Sequence, residues 1–533
     1  MNEEDFELPP DPKRVIEGLR DTGYEFDTAI ADVVDNSVAA NATLVDLQVV
    51  MDFRGEVRVS IADNGDGMDL DGLKNAMRYG ASARPNPASL GKYGLGLKTA
   101  STAFCRRLSV ISRASADAAP LMATWDLDHV GQTGKWSLII GEPDEEGLAH
   151  LEAVAPGRAG TVVVWTKVDR LMREYAAAAG AAARRALQRR IDALSQHLGM
   201  VYQRFLDHGD IRARNVGMRM NGVAVEPWNP FMTGVSELVG DQTVPVELES
   251  GTEASFTVKA YILPRKEEYP TAELAAAARL SAPMQGIYIY RENRLIVAST
   301  WLGMYQQEPH GSLLRVEFSF NHDLDDAFHL DIKKSQIGLN DDLFRFLKDT
   351  FLPAPRREAD RRYRMGEQKR VSEQSTGAHQ TSNTNIRNRE VAAGGANVRV
   401  VDQATGEVEV QNPHGVMRLK LPVGSATTPG EVFVQTVDSI MNGVLFEPGM
   451  IEQKRAVRIN TSHPYYHKVY VPNHNNSVTI QGMDSLLWSL AVAELTAMRP
   501  ETGEHFKDLR YEMSRILDKL VAGLPEPDLD DAS

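Results

Sequence analysis

The chain has little cysteine and no long apolar segment, and both absences limit what it can be. Cys105 is the single cysteine in 533 residues, which excludes an internal disulfide framework and a cysteine-rich zinc site. No apolar run reaches the roughly 18 residues of a membrane-spanning helix. The first residues, MNEEDFELPPDPKR, are acidic and lack an apolar signal-peptide core. We therefore expect a reducing, cytoplasmic location and no membrane contact.

Positive charge is also scarce. Lysine and arginine number 58 against 73 acidic residues, so the formal net charge is −15. Such a balance argues against a general cationic surface for nucleic acid, although it leaves room for a local one. RRALQRR (184–190) and PRREADRRYR (355–364) are the basic stretches that would face DNA. A stretch of this kind is more often simply a solvated helix face.

The first 170 residues predict a mixed arrangement of helices and strands. The apolar spacing indicates one helix over 13–40, a hairpin of strands over 44–52 and 56–63, and a short helix over 69–80. A polar loop follows, a helix begins near Leu95, and four further strands lie between 107 and 168. The fold class is therefore α+β, an α/β sandwich on a mainly antiparallel sheet.

The rest of the chain predicts further domains. Connecting helices are expected over 171–206 and a second α/β domain over 207–345, which includes a hairpin turning at Asn221-Gly222. A charged helix and a polar linker are expected over 346–395, and a C-terminal α/β region of unknown role over 396–533.

Three clusters, rich in glycine or in acidic and amide residues, stand out in the first domain. In ADVVDNS (31–37), Asp32 and Asn36 are four residues apart, so both project from one face of a helix. A carboxylate accepts a proton from water, and an amide oxygen is a suitable Mg²⁺ ligand. The alternative is a pair of exposed polar residues near a helix end.

The second cluster, DNGDGM (63–68), follows a predicted strand. Asp63 would stand at the strand end, where its carboxylate accepts a hydrogen bond from an exocyclic amine such as adenine N6. Gly65 and Gly67 would let the backbone turn and a flat ligand approach. A calcium loop is excluded because Lys74 occupies the place of its bidentate glutamate. A simple tight turn remains the alternative.

The third cluster, GKYGLGLKTAS (91–101), comes close to a P-loop but does not fit one. Leu97 occupies the place of the P-loop lysine, and Lys98 comes one residue late. Glycines at a helix N-terminus nevertheless expose backbone N–H groups to an anion, and Lys98 adds positive charge.

Together the clusters resemble the motifs of the GHKL ATPases, the superfamily of gyrase B, heat-shock chaperones, histidine kinases and MutL. The acidic residue and asparagine correspond to Asp32 and Asn36, the D-x-G-x-G motif to 63–67, and the G-x-x-G-x-G motif to 91–96. Gly160-Thr161 matches a fourth motif. The resemblance implies a Bergerat-type ATP-binding sandwich with ATP and Mg²⁺ as ligands.

The resemblance also assigns roles to residues. Asp32 would orient or deprotonate the attacking water, Asn36 would hold Mg²⁺, and the 80–97 loop would cover the phosphates as a lid. The residues implied in nucleotide binding are Asn36, Asp63, Gly65, Gly67, Met68, Ser82, Gly91, Lys92, Tyr93, Gly94, Leu95, Gly96, Leu97, Lys98 and Thr161. Most hydrolysing members carry glutamate where this chain has Asp32, which is one methylene shorter, so slow hydrolysis is expected.

The second domain resembles the transducer of the MORC ATPases and their bacterial relatives. QGIYIYRENRLI (285–296) and HLDIKKSQIGL (329–339) carry this likeness, and MNGVAVEPWNPF (220–231) resembles a hairpin of the same branch. The family pattern favours Lys334 as the γ-phosphate sensor, with Lys333 as the fallback. Two surface lysines are the alternative.

The resemblance implies a Mg-dependent ATPase that works as a conformational switch. We expect a homodimer that acts on double-stranded DNA, in genome maintenance or phage defence, with protein partners of the C-terminal region as a further expectation. A chaperone-like ATPase with protein clients and a non-hydrolysing, ATP-gated binding module are the two rivals. A histidine kinase is disfavoured because no phosphoacceptor helix precedes the ATP-binding motifs.

Overall fold

The computed structural model describes residues 10–21, 23–80, 88–90, 96–172, 179–248, 251, 253–325, 328, 341–375, 378–474, 476–497 and 502–524. The chain forms two compact units, and the division falls between Asp360 and Arg361. In the described part, no helix combines the length and the apolar character that a membrane crossing requires.

Eight strands of the first unit form one sheet. They are β1 (Leu44–Met51), β2 (Val57–Asp63), β3 (Cys105–Arg113), β4 (Leu121–Asp126), β5 (Ile139–Gly141), β6 (Gly160–Val168), β7 (Gly217–Met220) and β8 (Val223–Ala224). Their order is β5-β4-β3-β6-β2-β1-β7-β8, and all neighbours are antiparallel except β1 and β7. The predicted α+β class is confirmed.

Ten helices lie within the described part of the first unit. They are α1 (Pro12–Arg20), α2 (Phe26–Ala39), α3 (Leu70–Met77), α4 (Gly96–Phe104), α5 (Leu127–Thr133), α6 (Glu145–Val154), α7 (Ala181–Val201), α8 (Gln203–Leu206), α9 (Ala272–Ala277) and α10 (Asp341–Arg345), and α11 (Pro353–Ser375) contains the division between the units.

The single helix predicted over 13–40 is wrong, because the chain forms α1 and α2 there. The Asp21 amide donates to the Gly18 carbonyl oxygen, and Gly23 has a φ of +68°. Glycine adopts this left-handed conformation without the steric cost that a Cβ atom brings, so a helix ends easily there. The break turns the chain, so that α2 presents its own buried face to the sheet.

The first sheet has an apolar core on each face. Val59 and Ile61 of β2 pack on the side of α2 and α4, whereas Ala62 packs on the side of α6 with Leu151. Complete burial of a side chain such as Ile61 contributes about 1.5–3 kcal/mol. Because strand residues alternate between faces, Asp63 lies on the same face as Ile61, toward α2.

A second sheet of the first unit carries the region with a likeness to a transducer. It contains β9 (Glu237–Glu247), β10 (Glu253–Ile262), β11 (Gly286–Arg291), β12 (Arg294–Thr300) and β13 (Leu314–Phe320), in the order β12-β11-β13-β10-β9. Strand β9 was not predicted, since its sequence, ELVGDQTVPVE, lacks the regular alternation of apolar and polar side chains over its whole length that marks a half-buried strand.

The hairpin at Asn221-Gly222 forms as predicted, but it extends the first sheet and not the second. The φ values of Asn221 and Gly222 are +49° and +81°, as a tight two-residue hairpin turn requires. The Asn221 side chain accepts from the Val49 amide at 2.8 Å and donates to the Val49 carbonyl oxygen at 3.1 Å. These bonds join the hairpin to β1, so the first sheet extends into the region predicted as a second domain.

The second unit contains two smaller sheets. One consists of β14 (Asn397–Asp402), β15 (Glu407–Asn412) and β16 (Gly415–Lys420), and the other of β17 (Val423–Gly424), β18 (Val434–Val437), β19 (Phe446–Ile451) and β20 (Lys454–Asn460). Its helices after α11 are α12 (Gln380–Ala393), α13 (Ser477–Ala497) and α14 (Gly503–Val521).

The polar linker predicted within 346–395 is wrong where the chain forms α12. Asn383 is buried, and its side chain accepts from the amides of Phe433 and Val434 and donates to the Val434 carbonyl oxygen. His379, which precedes the helix, is hydrogen-bonded to Asp484 at 2.8 Å. Polar side chains that are satisfied by hydrogen bonds can be buried, so polarity alone did not indicate a solvated segment.

Candidate functional site

Asp32 and Asn36 lie one turn apart on α2, as their spacing predicts. The Asp32 side chain is buried, and the Tyr24 hydroxyl donates to its Oδ2 at 3.0 Å. Asn36 Nδ2 donates to the Asp32 backbone carbonyl oxygen at 3.0 Å. The amide nitrogen is used in this bond, so the amide oxygen is the atom that would ligate Mg²⁺.

Asp63 stands at the end of β2 and is also buried. Its Oδ2 accepts from the Ser37 hydroxyl at 2.8 Å, and its Oδ1 accepts from the Gly65 amide at 2.9 Å. Burial raises the pKa of Asp63, and the two hydrogen bonds oppose this rise. A carboxylate oxygen has more than one acceptor position, so these bonds leave room for a hydrogen bond from a ligand amine.

Gly65 and Gly67 are required by the close approach of the backbone. A Cβ atom at Gly65 would lie 2.5 Å from the Ala40 carbonyl oxygen. At Gly67, where φ is +65°, it would lie 2.0 Å from the Arg113 carbonyl oxygen. Both distances are shorter than any Cβ contact tolerates. The DNGDG segment therefore packs closely between the end of α2 and the end of β3.

A hydroxyl network joins the predicted residues Met68 and Thr161. The Met68 amide donates to Ser112 Oγ at 2.8 Å, and Ser112 Oγ lies 2.9 Å from Thr161 Oγ1. Thr161 is also the register partner of Asp63, so their side chains share one face of the sheet. Ser112 was not predicted, because β3 also contains Ser109 and nothing in the local sequence distinguishes the two serines.

The start of α4 lies against the carboxylate of Asp32. A Cβ atom at Gly96, the first residue of α4, would lie 3.5 Å from Asp32 Oδ2. Leu97 is half-buried. Lys98 is buried, and its Nζ donates to the Ala76 carbonyl oxygen of α3 at 3.0 Å. The structure thus joins the first and third motifs directly.

Several predicted residues lie outside the described part of the chain. They are Ser82, Gly91, Lys92, Tyr93, Gly94 and Leu95 of the lid, together with Lys333 and Lys334. Their assignments stay predictions.

Arg294, which was not predicted, contacts the site from the second sheet. Its Nε donates to Asp35 Oδ1 at 2.9 Å, and its Nη2 lies 3.9 Å from Asp32 Oδ1. It is 259 residues away from Asp35 in the chain. Sequence spacing gives no signal for a contact of this range.

The donor and acceptor set suits a nucleotide with a cation. Asp63 offers a buried acceptor beside narrow glycine turns, α4 begins with a glycine, and Asn36 and Asp32 supply hard oxygen atoms one helical turn apart. Oxygen ligands of this kind are those that Mg²⁺ prefers. These residues therefore fit Mg-ATP.

Comparison with known proteins agrees with this geometry. Residues 24–161 match the family model described as histidine kinase-, DNA gyrase B-, and HSP90-like ATPase. This segment is similar to the GHKL ATPases. The predicted resemblance is thereby confirmed, and the family supports ATP as the ligand. The match begins at Tyr24 and ends at Thr161, so it includes the three clusters and the fourth motif.

The MORC likeness is also confirmed, over a short stretch. The chain is 38% identical over 77 residues to ATPase MORC2B of Mus musculus, which covers 14% of this chain and 8% of that protein. A solved structure described as the N terminal domain of a DNA repair protein covers 66% of this chain and 97% of its own, with 15% identity and a TM-score of 0.38.

Proposed function

We propose that the chain binds Mg-ATP and hydrolyses it slowly, using the nucleotide to switch between conformations. The observation that carries this proposal is the closeness of Asp32, a buried carboxylate on α2, to Gly96 at the start of α4, where an added Cβ atom would lie 3.5 Å from Asp32 Oδ2. A base placed beside a helix N-terminus stands next to the backbone N–H groups that bind phosphate oxygens. Asp63, at the neighbouring strand end, would recognise the adenine ring of the nucleotide.

Each end of the nucleotide has a residue suited to it. Asp63 would accept a hydrogen bond from adenine N6. The hydroxyl network at Thr161 would hold together the ends of β3 and β6 on this side of the site. Asn36 would hold Mg²⁺, which, when bound, neutralises charge on the phosphate oxygens. The amides at the start of α4 would bind the phosphate chain.

Asp32 would act on the attacking water. The water oxygen forms a bond to the γ-phosphorus, the bond to the β-γ bridging oxygen breaks, and the water proton passes to Asp32. The Tyr24 hydroxyl holds Oδ2 of that carboxylate. An aspartate reaches one methylene less far than a glutamate, so we expect turnover at the low end of ordinary enzyme rates. We also propose that ATP favours a homodimer, as the resemblance implies.

Nucleotide selectivity tests the proposed binding mode. Adenine presents an amine at the position where guanine presents an oxygen, and a carboxylate accepts from the former and repels the latter. We expect calorimetric titration with Mg²⁺ to show ATP binding tighter than GTP by roughly 10²-fold or more. Asp63→Asn should remove most of that preference.

A matched control keeps this test specific. Asp46 is a buried carboxylate on the opposite face of the same sheet, where it is hydrogen-bonded to His150 at 2.9 Å. Asp46→Asn should leave the ATP preference as in the wild type. Equal affinity of the wild type for ATP and GTP would contradict the assignment of Asp63.

Double-stranded DNA is the partner that the α7 surface favours. Arg184, Arg185, Arg189 and Arg190 are all exposed on α7, within a stretch of seven residues without an acidic side chain. Such a cluster attracts a polyanion even on an acidic protein. We expect duplex DNA to raise ATP turnover, and Arg185→Glu/Arg189→Glu to remove the stimulation but not the basal rate. Turnover indifferent to DNA would favour protein clients.

A further inference from the structure

The hairpin of β11 and β12 carries two arginines next to its turn, one on each strand. Its turn is formed by Glu292 and Asn293, with φ values of +47° and +68°, and Arg291 and Arg294 are register partners at the base of this turn. Both arginines are buried. A turn with two residues in the left-handed region is short, so the backbones of Arg291 and Arg294 lie directly opposite each other.

Arg294 contacts two carboxylates of α2. Its Nε donates to Asp35 Oδ1 at 2.9 Å, and its Nη2 approaches Asp32 Oδ1 to 3.9 Å. The exposed fraction of Arg294 is 4%. Burial alone would lower the pKa of Arg294, but Asp35, Tyr202 and Asp32 outweigh it and raise the pKa above its usual range. The guanidinium is therefore a permanent charge beside the candidate base.

Asp35 is itself fixed from a third element. Tyr202 follows α7 in the chain. Its hydroxyl donates to Asp35 Oδ1 at 2.6 Å and lies 2.7 Å from the Ala31 carbonyl oxygen. Asp35 is completely buried. A buried carboxylate with a charged and a hydroxyl donor has a single favourable position. Arg294 is thus anchored on Asp35, and its other nitrogen reaches toward Asp32.

We propose that Arg294 is a positioning residue, which couples the second sheet to Asp32 by holding that carboxylate in the orientation needed to act on water. The inference rests on the proposed ATPase function. Tyr24 constrains Oδ2 from one side and Arg294 constrains Oδ1 from the other. A movement of the β11–β12 hairpin would therefore change the position of the Asp32 carboxylate without any direct contact between the hairpin and the nucleotide.

The other arm of the hairpin supports this coupling. Arg291 forms a two-pronged ion pair with Asp325, at 2.6 and 2.7 Å, and its Nη1 donates to the Ser89 carbonyl oxygen of the predicted lid at 3.3 Å. The two arginines next to this turn thus reach Ser89 and Asp32, respectively. A shift of the second sheet would therefore displace the contacts at Ser89 and at Asp32 together.

Steady-state kinetics with Arg294 variants test the inference. Displacement of a reacting group by about 1 Å can cost 10²-fold in rate, so we expect Arg294→Gln to lower kcat by roughly tenfold or more. The KM for ATP should stay within about twofold, because Arg294 is proposed to act on the base and not on binding. Arg294→Lys, which keeps the charge, should restore part of the rate.

Two further variants separate positioning from stability. Removing Arg294 alone leaves Asp35 buried without its cation, so Arg294→Gln/Asp35→Asn removes both charges and should fold more readily. Arg315 is a completely buried arginine of the second sheet that donates to the carbonyl oxygens of Pro230 and Ala278. Arg315→Gln should lower stability but keep kcat per folded molecule.

The outcomes distinguish this inference from the proposed function. Wild-type turnover with an unchanged kcat in Arg294→Gln and in the double variant would overturn the inference and leave the ATPase intact. A loss of kcat matched by Arg315→Gln, or one that Arg294→Lys does not lessen, would also overturn it. A wild type that hydrolyses no ATP would overturn the proposed function and the inference with it.

Discussion

Gly67→Ala is the substitution for which the structure predicts the most specific loss. The φ of Gly67 is +65°, a conformation that costs an alanine about 1–2 kcal/mol. Its new Cβ atom would also lie 2.0 Å from the Arg113 carbonyl oxygen, whereas ordinary contacts begin at 3.4 Å. Backbone would have to move by about 1.4 Å, the difference of these two distances, to admit the methyl group.

Overpacking of this kind adds about 1–3 kcal/mol, so the total loss in the free energy of unfolding should be about 2–5 kcal/mol. The displaced backbone joins Asp63 to Met68, so ATP affinity should fall at least roughly tenfold, or about 1.4 kcal/mol. Urea unfolding measures the first quantity and calorimetric titration with ATP measures the second.

Gly134 provides the matched control. Its φ is +62°, but no atom lies within 4 Å of the place of its Cβ. Gly134→Ala should therefore lose only the backbone contribution of about 1–2 kcal/mol and keep wild-type ATP affinity. If the two variants lose equal stability and both bind ATP as the wild type does, the close approach at Gly67 has no part in the site.

Two other predictions concern polar groups that are partly or fully shielded from solvent. Burial and the charge of Arg294 lower the pKa of His197 to about 4 from 6.5, so between these values the unfolded chain binds a proton that the folded chain does not. The free energy of unfolding should therefore fall between pH 7 and pH 5, and it should fall by up to about 2 kcal/mol more in the wild type than in His197→Gln. Urea unfolding at several pH values measures this difference. Parallel pH profiles of the two proteins would contradict the prediction. Asn383→Leu leaves three backbone groups of β18 and its flank unpaired, and should destabilise the second unit by on the order of 3 kcal/mol in chemical unfolding, whereas the exposed Thr384→Ala should change little.

Local spacing carried most of what the sequence could predict. Asp32 and Asn36 are one helical turn apart, and a helix has a fixed period, so their shared face followed without any knowledge of the fold. Gly67 of DNGDGM likewise marked a backbone conformation that other residues adopt only with strain. Such signals depend on neighbours in the chain.

The remaining features depend on contacts between distant segments. Arg294 approaches α2 from a separate sheet, and nothing near it in the sequence marks it as different from other arginines. The hairpin at Asn221 joins the first sheet because its side chain bonds to β1, which strand patterns alone do not reveal. Helix α12 was missed because hydrogen bonds allow Asn383 to be buried.

Phosphate release by the purified chain and by Asp32→Asn, at saturating Mg-ATP, tests the central claim most directly. Asparagine keeps the shape of the side chain but accepts a proton poorly. The account predicts measurable release by the wild type, a loss of roughly 10²-fold or more in the variant, and equal ATP affinity of the two. Equal rates in the two proteins, or no release by a wild type that binds ATP, would contradict the claim that Asp32 is the base of an ATPase.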